Sequence, residues 1–167
     1  MHRVYNSAFM NQLRDEDNSA FQNYLSDILY SDPILLEKFA NYMTTPDEET
    51  AIKQFGNSDK YFGVCGFMAS MPGLPMFGHG QLEGLSEKYG MDFKDAATQE
   101  QPDEQLIKDH QRLIAPLLKN RRRFAGSDNF SLLKFQLSNG EMDDNVFVFS
   151  NRFQNDQSLV FFNNQDK

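Results

Sequence analysis

The sequence has no tryptophan, one cysteine and a shortage of positive charge. Each shortage removes a class of function. The single cysteine, Cys65, excludes an internal disulfide, and its neighbours Phe62, Val64 and Phe67 mark it as a buried structural thiol rather than a nucleophile. Sixteen Lys and Arg stand against 24 Asp and Glu, a formal net charge of -8. That balance argues against a nucleic-acid binder, since phosphate contacts need surplus cations. No apolar run approaches the roughly 20 residues of a membrane-spanning helix. Met1-His2-Arg3-Val4-Tyr5 has no long apolar core behind its charge, so no signal peptide is read and a cytoplasmic protein is expected. There is no internal repeat or low-complexity tract, and no cofactor or metal site is read from the sequence.

What is present is the material of a globular core. The 167 residues are 40% hydrophobic and 24% charged, and 16 of them are phenylalanine. The stretch from Ala40 to Gly84 organises the rest. Two short apolar segments, Ala40–Met43 and Leu74–Phe77, each run into polar clusters. Thr44-Thr45-Pro46-Asp47-Glu48 follows the first, and Gly78-His79-Gly80-Gln81-Leu82-Glu83 follows the second. A helical crossover lies between them. This is the plan of a parallel β-α-β unit, in which chemistry gathers at the carboxyl ends of strands.

Upstream, Val4–Met10 is an apolar run with nothing obvious to initiate structure. Asp17-Asn18-Ser19 offers helix caps, with Gln22 as a capping-box partner three residues after Ser19, and Phe21, Tyr24, Leu25, Ile28 and Leu29 follow on one helical face. Asp32-Pro33 ends that helix and starts another, buried through Leu35, Leu36 and Phe39. Local chemistry gives Asp47 a plain role. Thr45 would cap a helix, Pro46 would be its first residue, and Asp47 would sit favourably on its dipole. The helix would end at Phe55-Gly56. Asp59 would cap the next helix, apolar nearly all round, which Met71-Pro72-Gly73 ends. Glu87–Gln101 reads as a long surface loop, and Pro102-Asp103-Glu104 opens a long helix kinked at Pro116. His110 on its apolar face reads as a satisfied core histidine, and Arg121-Arg122-Arg123 as cations complementing the dipole at its end.

After Gly126 the period changes from helical to alternating. Phe130–Leu137, Val146–Phe153 and Leu159–Asn163 read as strands of an antiparallel meander, separated by Ser138-Asn139-Gly140 and Gln154-Asn155-Asp156 turns. A boundary near Ala125–Asn129 divides residues 1–125 from residues 126–167. Three β/α units cannot close a barrel, which in its common form needs eight, so the α/β part reads as incomplete, with exposed sheet edges.

At this point the residues resemble a known family. Pro72-Gly73-Leu74-Pro75-Met76-Phe77-Gly78-His79-Gly80-Gln81 is similar to the eighth-strand motif of the alpha-amylase superfamily of glycoside hydrolases, roughly G-x-P-x-x-Y-x-G. Tyr42-Met43-Thr44-Thr45-Pro46-Asp47 resembles the seventh-strand motif, roughly F-x-x-N-H-D. Glu87-Lys88-Tyr89-Gly90-Met91 and the Met1–Met10 segment resemble a subgroup of large bacterial members, the latter at the sixth strand. The resemblance implies the last three units of a (β/α) TIM-type barrel, an α/β fold, followed by the start of a C-terminal β-sandwich domain. It implies retaining cleavage or transfer at α-glucosidic bonds, which needs two carboxyl groups about 5 Å apart as nucleophile and acid/base. In the family these follow the fourth and fifth strands, and this chain has neither. It implies that Asp47 is the third family carboxylate, a transition-state stabiliser, and that His79, Gln81 and Glu83 bind substrate. Pro46 and Thr45 depart from the family's His and Asn, and Gly78 from its Tyr.

Three readings follow. The first is a fragment of an alpha-amylase-like enzyme, inactive alone, whose partners are an α-glucan or oligosaccharide and the missing N-terminal barrel half, or a second copy of itself. The second is a non-catalytic carbohydrate-binding or interaction protein, using Tyr61 and Tyr89 as aromatic platforms. The third is an unrelated small α/β domain with a β-extension.

Overall fold

A computed structural model describes residues 2–88 and 95–165. Its first sheet is parallel, with β1 (Val4–Tyr5), β2 (Phe39–Tyr42) and β3 (Leu74–Met76) side by side in that order. Tyr5 stands opposite Ala40, and Ala40 opposite Leu74. Helices α1 (Ser7–Arg14), α2 (Asn18–Ser31) and α3 (Leu35–Lys38) connect β1 to β2. Helices α4 (Ala51–Phe55) and α5 (Asp59–Ser70) connect β2 to β3. The described residues thus contain three parallel strands with helical crossovers and no closed barrel.

The apolar run at the amino end is split by Asn6. Its backbone N–H still pairs with Ala40 in the sheet, while its side-chain oxygen accepts from Phe9 N and opens α1. The same side chain donates to Asn41 Oδ1 at 2.9 Å, and Asn41 donates to the Pro72 carbonyl at 3.1 Å. These buried amides tie the three strands together through satisfied polar contacts, which fix register where apolar packing alone permits slippage. Helix α2 is capped by Asp17, not by the box at Ser19. Gln22 turns away instead, donating to the Asp144 carbonyl and accepting from Lys134.

Helix α5 is the centre of the core, with Tyr61, Val64, Cys65, Phe67 and Met68 all buried. Phe67 lies 5.8 Å from Phe9, 5.1 Å from Phe147, 5.4 Å from Phe149 and 5.3 Å from Phe162, ring centre to ring centre. Such pairs add about 0.5–1.5 kcal/mol each beyond area burial. One aromatic cluster therefore runs from α1 through α5 into the meander, across the junction at residues 125–129.

After β3 comes α6 (Glu104–Asp109), capped by Asp103. It passes into a π-helical turn at His110–Ile114 and then α7 (Ala115–Lys119). Pro116, which cannot donate to the carbonyl one turn back, stands just past the π-helical turn. Arg121 does not complement its own helix. Its guanidinium reaches the carbonyls of Ala69 and Met71 at the end of α5, and Gly73 O at 2.6 Å, so it closes a different helix. Burial pushes its pKa down to about 10, with Arg3 adding repulsion.

The second sheet is antiparallel, in the order β4 (Ser131–Leu133), β5 (Val146–Phe153), β6 (Asp156–Asn163). The β5–β6 hairpin turns on Gln154-Asn155, with Gln154 at φ 55°. Strand β4 is shorter than the alternation predicts: beyond it only Gln136 pairs, with Met142. Phe147, Phe149 and Phe162 face the core, while Phe153 and Phe161 are exposed. Asn18 and Asn164 join the far ends of the chain. Asn164 donates to Asn18 Oδ1 at 2.7 Å and to Leu13 O at 2.9 Å, and Asn18 donates back to Asn164 O at 2.9 Å.

Candidate functional site at the ends of two parallel strands

The loops that follow β2 and β3 leave the same edge of the parallel sheet, and they meet. Gly78 marks the contact: a Cβ there would stand 2.4 Å from Thr44 Cγ2, so only glycine lets the second loop approach the first. Between them lies a small cavity of about 80 Å³ whose walls include Thr45, Pro46, Glu48, Gly78, His79 and Lys88. It is well below the ~300–1,000 Å³ of an enclosed small-molecule pocket.

Asp47 is exposed in a turn just past β2. No helix begins there. Thr45 Oγ1 accepts from Asp47 N at 3.3 Å, Glu48 N returns to Thr45 O, and α4 starts only at Ala51. The side-chain hydroxyl closes a tight turn in place of a cap. The Asp47 carbonyl accepts from Lys88 Nζ at 2.8 Å. Glu48, not Asp47, lines the cavity, and its charge helps to raise the Tyr42 pKa, after burial. Local chemistry gives Glu48 the closing of a capping box with Thr45, which does not form because α4 starts only at Ala51. The one sequence signal of its place on the cavity is that it adjoins Asp47 at the tip of the same loop.

His79 is exposed on the opposite wall. Gln81 is buried at 2% exposure with both ends of its amide engaged. Its Oε1 accepts from Gly78 N at 3.0 Å, and its Nε2 meets Met43 Sδ at 3.4 Å. Glu83 is half-buried, and its carbonyl accepts from Asp103 N at 2.8 Å. The structure therefore brings Glu48 and His79 together across the cavity and turns Gln81 inward. Tyr61 is no platform: it is fully buried, its O–H given to the Gln81 carbonyl at 2.8 Å. Tyr89-Gly90-Met91 lies outside the described residues.

The neck of the loop that follows is held by two carboxylates. Glu100 accepts from Ser86 N and Oγ and from Glu87 N, and Glu87 accepts from Ala97 N, Thr98 N and Thr98 Oγ1. Those hydrogen bonds, led by Thr98 for Glu87 and Ser86 for Glu100, hold both carboxyl pKa values below their ordinary range. Among the described residues, no three His, Cys, Asp or Glu come together as metal ligands, and no helix is long and apolar enough to cross a membrane.

Polar loops converging past the carboxyl ends of neighbouring parallel strands define part of a β/α fold, in which ligand sites gather at that edge. Solved structures sharpen that class to the fold of alpha-amylase-type enzymes. An alpha-amylase from H. orenii is 15% identical with a TM-score of 0.68, the match covering 98% of this chain and 39% of that one. The cyclic alpha-maltosyl-(1→6)-maltose hydrolase of Arthrobacter globiformis, in complex with maltose, is 14% identical with a TM-score of 0.64, covering 94% and 36%. An alpha-amylase from Geobacillus thermoleovorans complexed with acarbose is 15% identical with a TM-score of 0.57, covering 85% and 32%. The chain thus spans about a third to two fifths of these structures. No family model and no curated protein matches the sequence.

Proposed function

We propose that this chain is the carboxyl-terminal part of an alpha-amylase-like glycoside hydrolase acting on α-glucosidic bonds. The carrying observation is the meeting of the β2 and β3 loops at one strand edge, in a fold shared with alpha-amylase-type structures across nearly the whole chain. On this reading residues 1–125 are the last units of a β/α barrel and residues 126–167 begin a β-domain. Maltose and acarbose are named with two of the similar structures, which supports an α-linked oligosaccharide as the partner here. Asp47 serves as the carboxylate that steadies the transition state, and His79 and Glu83 contact sugar hydroxyls. Gln81 acts from behind, shaping the loop. The nucleophile and acid/base come from strands this chain does not contain, so it turns over no glycoside by itself. The remaining strands of such a barrel would complete the site. A cytoplasmic location goes with this reading, on the strength of the single, unpaired thiol.

Glu48 carries a second version of the same reading, because it lines the cavity, where the other acid, Glu87, is engaged by Ala97 and Thr98. A charged hydrogen bond is worth about 1.5–3 kcal/mol, so losing the sugar-binding acid weakens binding about 10- to 100-fold. Titration of the labelled chain with maltoheptaose is expected to shift the amides of residues 45–48 and 78–83. Asp47→Asn should abolish those shifts, with no hydrolysis of a chromogenic α-glucoside by any variant. If Glu48→Gln abolishes them instead, Glu48 is the sugar-binding acid. No shifts in the unaltered chain would refute sugar contact at this rim, and hydrolysis by the chain alone would refute its dependence on missing groups.

A further inference from the structure

We propose that Tyr61 and His110 are positioning residues for the rim, a buried pair that holds the loop after β3 in the shape that presents His79 and Glu83. Its use in sugar contact rests on the function proposed above; the positioning itself does not. The pair joins three separate elements. Tyr61 comes from α5, His110 from the π-helical turn, and their common load is the Gln81 carbonyl. Tyr61 Oη lies 2.8 Å from that oxygen and 2.8 Å from His110 Nε2. The phenol has one proton. With it committed to the carbonyl, Nε2 must carry its own proton and donate to Oη. The tautomer is thereby set, and Nδ1 is left a bare acceptor with no hydrogen-bond partner.

The surroundings favour that neutral form. Rings of Tyr61, Phe62 and Phe77 lie 5.5, 5.3 and 6.3 Å from the imidazole, and burial draws its pKa below the ordinary 6.5. Glu83 opposes this from the loop itself. Tyr61 and Cys65 on α5 remain neutral, because burial pushes both their pKa values up.

Gln81 passes the constraint on. Its N–H reaches the Gly78 carbonyl at 3.3 Å and its side chain caps Gly78 N, closing a four-residue turn with His79 inside it. With the carbonyl fixed from below, the turn has both ends anchored. Were the phenol O–H absent, that carbonyl would be buried with nothing to accept from, and the turn would gain by opening to water.

Amide hydrogen exchange on the full chain tests this without any sugar. Tyr61→Phe, which keeps the ring, is expected to speed exchange at Gly78 and Gln81 at least tenfold relative to the β5–β6 hairpin. His110→Phe should produce a smaller effect, about threefold, and His110→Gln, which restores an N–H donor, should reverse it. A loss of protection spread evenly over loop and hairpin would show a purely structural pair and overturn the proposal. So would unchanged exchange at Gly78 and Gln81. Should Tyr61→Phe fail to fold, the contrast between His110→Phe and His110→Gln decides by the same criteria. A confirmed loop effect with no maltoheptaose response would retain the positioning and refute the sugar reading.

Discussion

Two glycines in one helix test how the meander is joined to the α/β part. Gly63 and Gly66 both lie inside α5. Replacing either by alanine gains about 0.8–1.0 kcal/mol of helix propensity. Their surroundings differ. A Cβ at Gly63 would stand 2.5 Å from Phe162 Cε2 and 3.1 Å from Cδ2, whereas one at Gly66 meets only Leu117 Cδ1 at 3.9 Å. Overpacking a filled site costs about 1–3 kcal/mol. The Phe162 ring packs against Phe67 and Phe147, contacts that a shift away from Gly63 would disturb. Gly66→Ala is therefore expected to stabilise by up to about 1 kcal/mol. Gly63→Ala should be neutral or destabilising by up to about 2 kcal/mol, the overpacking set against the propensity gain. The gap between them, about 1–3 kcal/mol, is free of propensity, since both variants share it. Urea unfolding reads the gap as a difference in midpoint at constant slope. Adding Phe162→Leu to Gly63→Ala should narrow it, because the smaller side chain vacates the ring's edge. Equal shifts for Gly63→Ala and Gly66→Ala would refute the packing of β6 on α5, and with it the shared aromatic core.

The remaining predictions concern titration and reactivity. Stability should fall in two steps on acidification, because each group's pKa is lower in the folded state and the unfolded chain takes up the protons first. The first step lies below pH 6.5 and comes from His110, whose neutral form is buried; His110→Gln should remove it from an unfolding-versus-pH curve. The second lies below pH 4.5 and comes from Glu87 and Glu100, and it should appear as faster exchange at Ser86 and Thr98. A curve flat from pH 7 to pH 5 would refute the first step. Cys65, buried and pushed up to about 12, should resist a thiol reagent in the native protein and react at once in denaturant. Rapid native labelling would contradict its burial.

Much of the frame was legible in the sequence because it is set locally. The two short apolar segments ahead of polar clusters became β2 and β3, and the Gln154-Asn155 turn fixed the β5–β6 hairpin. The all-apolar α5 was buried as its composition required. What escaped depends on partners distant in sequence. Arg121 serves a helix some fifty residues earlier, and Gln22 serves a loop more than a hundred residues later. Nothing in their own neighbourhoods shows it. The turn at Thr45–Glu48 had all the chemistry of a helix start, yet Thr45 spends its hydroxyl on the very next turn residue but one, and the helix waits for Ala51. The rim was visible as a cluster of polar side chains; which of them face outward was not. Gln81 turns inward because the Tyr61 hydroxyl and the Gly78 amide, neither legible as its partner from the pattern, draw it in.

The reciprocal amides of Asn18 and Asn164 bear on how the protein is made. They bridge 146 positions. An emerging chain cannot form this clasp until Asn164 has left the ribosome, and contacts of such separation close late and slowly. Until then Asn18 at the start of α2 has only Asn145 as a side-chain partner from the second sheet's side. The α/β part is thus synthesised before the cover that β6 provides, and its aromatic core closes only when that strand arrives.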